Sequence, residues 1–397
     1  MRKILLLLAV LALLVGCADQ EILPTDDPLQ PGAIEGRFDM YNRFGFHLYN
    51  QLVEQENIMI SPISIGLALA MTYNGADGET REEMARALQL ESVDLAAFNQ
   101  KNQELLRLLS RSDVTLSIAN SLWLRQGIPL RGEFVAANRE FYQAEVSELD
   151  FNDPASVQTI NNWVAEQTNG LIKEIIDGPI DPLTLLFLIN AIYFQGDWAQ
   201  PFDEGLTRDD QFQTPGGSVE TPFMHKAGNY SYLATEDFQA IRLPYGEGSL
   251  AMYVFLPQDL AAFHRQLTPE NWQRWLSEFA ISQGRLALPK FEFGYEAELN
   301  DALRALGMKT AFEPGQADFS QMIDADVSIS KVKHKSFIKV NEQGAEAAAV
   351  TSVEVRVTSV MPPQEMFEMK VDRPFCFIIH DSQTDTILFL GSVVDPS

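Results

Sequence analysis

The chain is short of reactive side chains. Its 397 residues hold two cysteines, Cys17 and Cys376, and five histidines, His47, His225, His264, His334 and His380. Two cysteines exclude a disulfide framework and any zinc site made of paired CxxC motifs. No two histidines stand four apart, and HExxH, GxSxG and GxxxxGK[ST] are all missing, so the common hydrolase and P-loop signatures are absent. A hydrolase with a non-sequential triad is the weakest reading left. Tyr245-Gly246-Glu247-Gly248 is too short for a dinucleotide fingerprint and reads as a turn between strands. No cofactor and no metal is expected. Positive charge is scarce too, with 29 Lys and Arg against 55 Asp and Glu, a formal net charge of −26. Nucleic acid, which needs clustered cations, is therefore excluded as a partner. There is no internal repeat. What remains is 46% hydrophobic, ample for a large core.

The first residues read as an address. Arg2 and Lys3 precede Ile4–Val15, an unbroken apolar run of twelve residues. That is shorter than the ~20 residues a lone spanning helix needs, and it fits a secretory leader. The run closes on Leu14-Val15-Gly16-Cys17, which resembles a bacterial lipobox and implies lipidation of Cys17 after cleavage. An ordinary signal peptide with an incidental cysteine is the alternative. Residues 18–36 carry three prolines and five acidic residues without apolar periodicity, as a solvated tether would. The expected organisation is a leader over 1–16, a lipidated cysteine and tether over 17–36, and one domain over 37–397. The expected location is the bacterial cell envelope, exported to the periplasm or cell surface, with membrane contact through the lipid anchor alone. Cys376, inside Phe375-Cys376-Phe377-Ile378-Ile379, reads as a buried small hydrophobe.

Periodicity places elements along the body. Phe38, Tyr41, Phe44, Leu48 and Leu52 recur at helical spacing. Ser61-Pro62 caps and opens a helix through Met71, and Thr80 with Glu83 matches a capping box for a helix to Leu88. Val114–Leu124 alternates as a strand, with Leu116, Ile118, Leu122 and Leu124 on one side. Ser156–Thr168 is helical. Leu183–Phe194 is nearly all apolar, as in a strand covered on both faces. Several short strands follow over Tyr230–Leu256, then a helix over Trp272–Phe279, a strand over Arg285–Phe293 and a helix over Glu298–Leu306. Three strands close the chain, over Met366–Val371, Phe375–His380 and Ile387–Val394. Helices early and strands late predict an α+β fold with a large mixed sheet.

Glu342–Pro363 does not read like an ordinary element. From Ala345, every second residue is Ala345, Ala347, Ala349, Thr351, Val353, Val355 and Val357. The interleaved set is Glu346, Ala348, Val350, Ser352, Glu354, Arg356 and Thr358. This is a period-2 strand of about fourteen residues, where strands usually run 5–6. It is graded from small to β-branched side chains, and Met361-Pro362-Pro363 ends it. One long edge strand, or a helix started by the alanines, would be unremarkable explanations. The third is a segment written to become a strand after sliding between existing ones.

Glu342-Gln343-Gly344-Ala345-Glu346-Ala347-Ala348-Ala349-Val350-Thr351 resembles the hinge of an inhibitory serpin. Asn57–Ile65, Leu188–Trp198, Asp372–Phe375 and Phe389–Pro396 resemble other serpin segments in the same order. The resemblance implies an α+β serpin fold of three β-sheets and eight or nine helices with an exposed reactive-centre loop. It implies a suicide-type inhibitor of serine endopeptidases, with cysteine endopeptidases also in reach, and not an enzyme. The protease acylates itself on the loop, and the cut loop then enters the central sheet and drags the protease with it. Ala345 is implied as the first residue to enter. Ser61, Ser64, Asn190 and His334 are implied as the shutter beneath the strands that part, though His334 could be a satisfied core histidine. Trp198 is implied at the breach, with plain core packing as its alternative. Counting seventeen residues from Glu342, as inhibitory serpins do, puts the scissile bond at Thr358–Ser359. Arg356–Val357 is the alternative bond. The expected partners are therefore elastase-like proteases first and trypsin-like ones second, held covalently by a monomer. A non-inhibitory, lipid-tethered binding module is the alternative function.

Overall fold

The computed structural model describes residues 39–90, 94–110, 114–127, 129–345 and 366–397. The first half is helix-rich: α1 (Asp39–Leu52), β1 (Ile58–Ile60), α2 (Pro62–Tyr73), α3 (Gly78–Ala87), α4 (Leu95–Leu109), β2 (Thr115–Arg125), α5 (Gly132–Tyr142), β3 (Glu145–Leu149), α6 (Ala155–Gln167) and β4 (Leu186–Asp197). Strands then dominate: β5 (Arg208–Thr214), β6 (Gly217–Ala234), β7 (Phe238–Tyr245), β8 (Leu250–Pro257), α7 (Leu260–His264), α8 (Pro269–Glu278), β9 (Ala280–Pro289), β10 (Phe291–Glu298), α9 (Asn300–Ala305), β11 (Lys331–Val340), β12 (Gly344–Ala345), β13 (Phe367–Lys370), β14 (Phe375–Asp381) and β15 (Thr386–Val393).

Among the described residues the strands form two hydrogen-bonded sheets. One runs β10-β11-β12-β4-β2-β3, and the other runs β1-β15-β14-β8-β7-β6-β9-β13 with β5 on β6. Two of the three expected sheets are continuous here because β6 is 18 residues long. Its first part pairs with β5, its middle with β9 and its end with β7. For the same reason the short strands expected from Tyr230 are parts of longer ones. The expected strand over Arg285–Phe293 divides between β9 and β10.

α2 lies at the centre of the fold. Every residue from Pro62 to Thr72 is buried, which suits a helix apolar on all sides. Pro62 at its first position and the Ser61 side chain, accepting from Ser64 N–H, start it as the sequence suggests. The Thr80 cap is corrected: Asp77 caps α3, three residues earlier, by accepting from Gly78 N–H. Thr80 Oγ1 instead accepts from Asp318 N–H, and Glu83 accepts from both backbone N–H groups of Lys309 and Thr310.

The apolar run at Leu183 becomes a strand only from Leu186, and Leu183 is 86% exposed. β4 is covered on both faces. Leu186, Leu188, Ile192 and Phe194 join the main core. Phe187, Ile189 and Ala191 pack into a second cluster with Ile160 and Val164 of α6 and Ile172, Ile175 and Ile176 after it. α6 and its C-terminal loop thus lie across the outer face of the six-stranded sheet. Lys333 and Lys335 of β11 hold that loop, donating to Ile175 O and Glu174 O at 2.9 and 2.8 Å.

Candidate functional site

The two middle strands of the six-stranded sheet are joined at one end only. β4 and β11 pair in parallel from Phe187 opposite Lys331 to Ile192 opposite Ser336. Beyond that they diverge, and β12 occupies the gap. Ala345 pairs antiparallel with Val340 of β11 and with Gly196 of β4, and Gly344 pairs with Asp197. The turn that sends the chain back is held by Asn341, whose side-chain oxygen accepts from Gln343 N–H and Gly344 N–H at 3.0 and 3.2 Å. Ala345 is 1% exposed.

Gly344 is required by a close approach. A Cβ there would lie 2.1 Å from Gly196 O, 2.7 Å from Asp197 Cα and 2.9 Å from Trp198 N, all backbone atoms that cannot swing away. We therefore expect Gly344→Ala to expel β12 from the gap. Hydrogen exchange should report it, because Trp198 N–H donates to Gln343 O at 2.7 Å and would lose protection by about tenfold or more.

Trp198 closes the top of the gap. It is 4% exposed, stacks on Tyr245 at 4.3 Å and 12°, and donates from Nε1 to Asn341 O at 2.9 Å. Its neighbour Phe202 donates from its backbone N–H to Glu342 O at 2.8 Å. The Glu342 carboxylate sits 2.9 Å from Lys290 Nζ and accepts from Thr207 Oγ1 at 2.7 Å. Burial pushes this carboxyl up, but Lys290, Thr207 and its own backbone N–H outweigh that and hold it below the ordinary glutamate range.

Lower down, one hydrogen-bonded row crosses three strands. His334 of β11 stands opposite Asn190 of β4, which stands opposite Asn120 of β2. Ser61 N–H donates to His334 Nε2 at 3.4 Å, so Nδ1 carries the proton and donates to Asn190 Oδ1 at 2.8 Å. The Asn190 amide then donates to Asn120 Oδ1 at 2.7 Å and to Ser64 Oγ. Ser336 adds a hydrogen bond from its hydroxyl to Met59 O at 2.7 Å. The imidazole is fully buried and neutral, and burial is the main cause that pulls its pKa down to about 3. Separating β4 from β11 has to break the His334–Asn190 hydrogen bond first.

The structure thus brings Ser61, Ser64, Asn190 and His334 into one network, and Glu342, Gly344, Ala345 and Trp198 into one clamp. Glu346, Ala347, Ala348, Ala349, Val350, Thr351, Arg356, Val357, Thr358, Ser359 and Cys17 lie outside the described residues. Cys376 is fully buried in β14, and burial pushes its thiol up, opposite to what a nucleophile needs. Sequence reading missed Asn120, Tyr245, Phe202, Thr207, Lys290 and Ser336. A polar residue at position 120, in step with Leu116, Ile118, Leu122 and Leu124, was the available signal for the first of these.

The site is thus a mixed sheet whose two central parallel strands pair directly at one end and are separated at the other by Gly344 and Ala345. The chain belongs to the serpin family: residues 39–396 match the model described as Serpin (serine protease inhibitor). It is 39% identical to an uncharacterized serpin-like protein of Thermococcus kodakarensis, over 94% of this chain and 89% of that one. It is 36% identical to Serpin B8 of Homo sapiens, over 89% of this chain and 97% of that one. The solved native structure of the thermophilic serpin tengpin superposes with a TM-score of 0.85 at 32% identity, covering 93% of this chain and 97% of that one. Human thyroxine-binding globulin does so at 0.84 and 26%, covering 91% and 98%. Members of the family are generally protease inhibitors, and the thyroxine-binding globulin structure is a complex with thyroxine.

Proposed function

We propose that the protein is a suicide-type inhibitor of serine endopeptidases, and of cysteine endopeptidases through the same acyl chemistry, acting as a monomer. One observation carries the reading. Gly344 and Ala345 already sit as a strand between β4 and β11 where these diverge, and Ala347, Ala348 and Ala349 follow after Glu346 in the sequence. Continuing that strand parts the β4–β11 ladder and pairs the new strand on both sides; a surplus of roughly a dozen ladder hydrogen bonds over those broken, at ~1 kcal/mol net each, yields on the order of 10 kcal/mol. The stability of a whole domain is ~5–15 kcal/mol, so this is enough to deform a captured protease. The protein contributes no catalytic group of its own. Thr358–Ser359 is the proposed bond, which suits elastase-like enzymes, and Arg356–Val357 is the second site, open to trypsin-like ones. Cutting at Arg356 shortens the tether by two residues, about 7 Å. The leader and Cys17 support export and lipid anchoring in the cell envelope.

Mixing the protein with an elastase-like protease is expected to give a covalent complex that survives boiling in detergent, near the summed mass. Mass spectrometry of the released loop peptide then fixes the bond. Proteases that cut between residues 342 and 363 and depart active, with no complex at any ratio, would overturn the inhibitory reading in favour of a binding module.

A further inference from the structure

Arg208, Asp210, His225 and Lys370 meet on one face where β5, β6, β9 and β13 lie side by side. The ladders fix the arrangement. Lys370 of β13 stands opposite Ala287 of β9, which stands opposite His225 of β6. Arg208 of β5 stands opposite Phe223, two residues before His225 and on its face, and Asp210 shares that face two residues on. Arg208 donates from Nε to His225 Nε2 at 3.1 Å, so that nitrogen accepts and the imidazole is neutral. Lys370 Nζ pairs with Asp210 Oδ2 at 2.8 Å and lies 5.6 Å from the centre of the Phe223 ring. The charged groups facing His225 are thus Arg208 and Asp210 from β5 and Lys370 from β13. β9 puts Ala287 in its row, with Arg285 of β9 and Glu368 of β13 one row further along. Burial, Arg208 and Lys370 pull the imidazole pKa down, and Asp210 works against them.

β13 is a four-residue edge strand that pairs with β9 alone. Buried Met369 and the Phe367 ring, stacked on Tyr232 at 3.8 Å, hold one face of it. On the other face its hold is Lys370. We propose that the four side chains form a proton-operated clamp on β13. Protonating His225 breaks the Arg208 hydrogen bond, draws Asp210 to the imidazolium and frees Lys370. Docked β13 brings in Lys370, which claims Asp210 and adds positive charge beside the imidazole. The proton therefore binds more weakly with β13 docked, and its binding favours release by the same factor. The clamp is fully closed above the ordinary histidine value of 6.5 and opens as pH falls below it. β13 follows residues 346–365 in the sequence, so the clamp sets how firmly the far end of that stretch is anchored. β12 fixes the near end, and an uncut chain can go deeper between β4 and β11 only by drawing on β13. This consequence rests on the inhibitory reading; the clamp does not.

The test is hydrogen exchange of the intact chain at pH 7.5 and pH 5.0, corrected for the intrinsic effect of pH. Peptides covering Phe367–Val371 are expected to lose protection by about threefold at pH 5.0, the size of one surface ion pair. His225→Gln, whose side-chain oxygen still accepts from Arg208, should abolish that loss. His225→Arg, charged at every pH, should show it already at pH 7.5. Asp210→Asn leaves Lys370 without its carboxylate and should loosen β13 equally at both. Should a histidine variant fail to fold, Asp210→Asn decides. A β13 response that persists in His225→Gln or in Asp210→Asn, or none in the parent, overturns the clamp. For the consequence, protein is held at pH 5.0 without protease and returned to pH 7.5, and covalent complex with an elastase-like protease is counted. Capacity should fall faster in the parent than in His225→Gln. Equal rates overturn the link to insertion and leave the exchange result standing. Fresh protein that forms no complex at pH 7.5 counts against the inhibitory reading and not against the clamp.

Discussion

Ala345→Arg is expected to turn trapping into plain cleavage. In the resting chain Ala345 is already a sheet residue, flanked by Val340 and Gly196 and 1% exposed. A Cβ on the facing Gly196 would meet Phe194, Val114 and Tyr245 within 3.3 Å, so the space beside Ala345 is apolar and filled. A guanidinium there is either buried unpaired or kept out, and both outcomes stop insertion at its first step. Trapping is a race between loop entry and hydrolysis of the acyl-enzyme. A penalty of about 3 kcal/mol slows entry by roughly 100-fold, so hydrolysis wins in nearly every encounter. The measurement is the number of inhibitor molecules cut for each covalent complex formed. It should rise by about two orders of magnitude, while the initial rate of loop cleavage stays the same. Ala345→Ser is the control, since a small hydroxyl at the sheet edge finds backbone partners. Undiminished trapping by Ala345→Arg would contradict the insertion account.

The parts of this site that sequence reading reached differ in kind from those it did not. Local signals read well. Ser61-Pro62 sets the start of α2 through short-range capping, and the turn at Gly246 follows from glycine between two apolar runs. The apolar run Leu183–Phe194 announces a strand buried on both faces, and β4 (Leu186–Asp197) is covered by α6 on one and α2 on the other. The network at His334 joins residues 61, 64, 120, 190 and 334, and no periodicity links positions that far apart. Four of the five were reached through family resemblance, and Asn120 was missed. It occupies an apolar-parity position in β2, where it can persist only because Asn190 donates to it at 2.7 Å. The Lys290–Glu342 pair and the Trp198–Tyr245 stack were hidden for the same reason. Each is a contact across a topology that only tertiary packing creates.

Acidification is expected to destabilise the resting fold well before its carboxylates protonate, with His334 as a main cause. The folded pKa of this imidazole is about 3, against 6.5 in the unfolded chain. Between those values the unfolded chain binds the extra proton and the folded one does not, so stability is full above about pH 6.5 and falls as pH drops toward 3. At pH 5 the loss from this one group is about 2 kcal/mol, since 1.5 pH units each carry ~1.36 kcal/mol. His264, buried against Tyr49 and Ser392 and lowered to about 4 chiefly by burial, contributes a loss of the same sign. Urea unfolding at pH 7.5 and pH 5.0 should therefore show a drop that His334→Gln reduces by about 2 kcal/mol. Its cost at pH 7.5, where the imidazole is neutral anyway, reflects only the altered hydrogen bonds. The physical origin predicts where the proton acts. Protonated Nε2 would point a second donor at Ser61 N–H across 3.4 Å, and the histidine can escape only by leaving the row it shares with Asn190 and Asn120. That movement also unpairs β4 from β11. Hydrogen exchange at pH 5 should accordingly rise first at the β4–β11 ladder, Phe187–Ile192 and Lys331–Ser336, and later at the β2–β4 ladder. Uniform loosening of both ladders would place the acid sensitivity elsewhere.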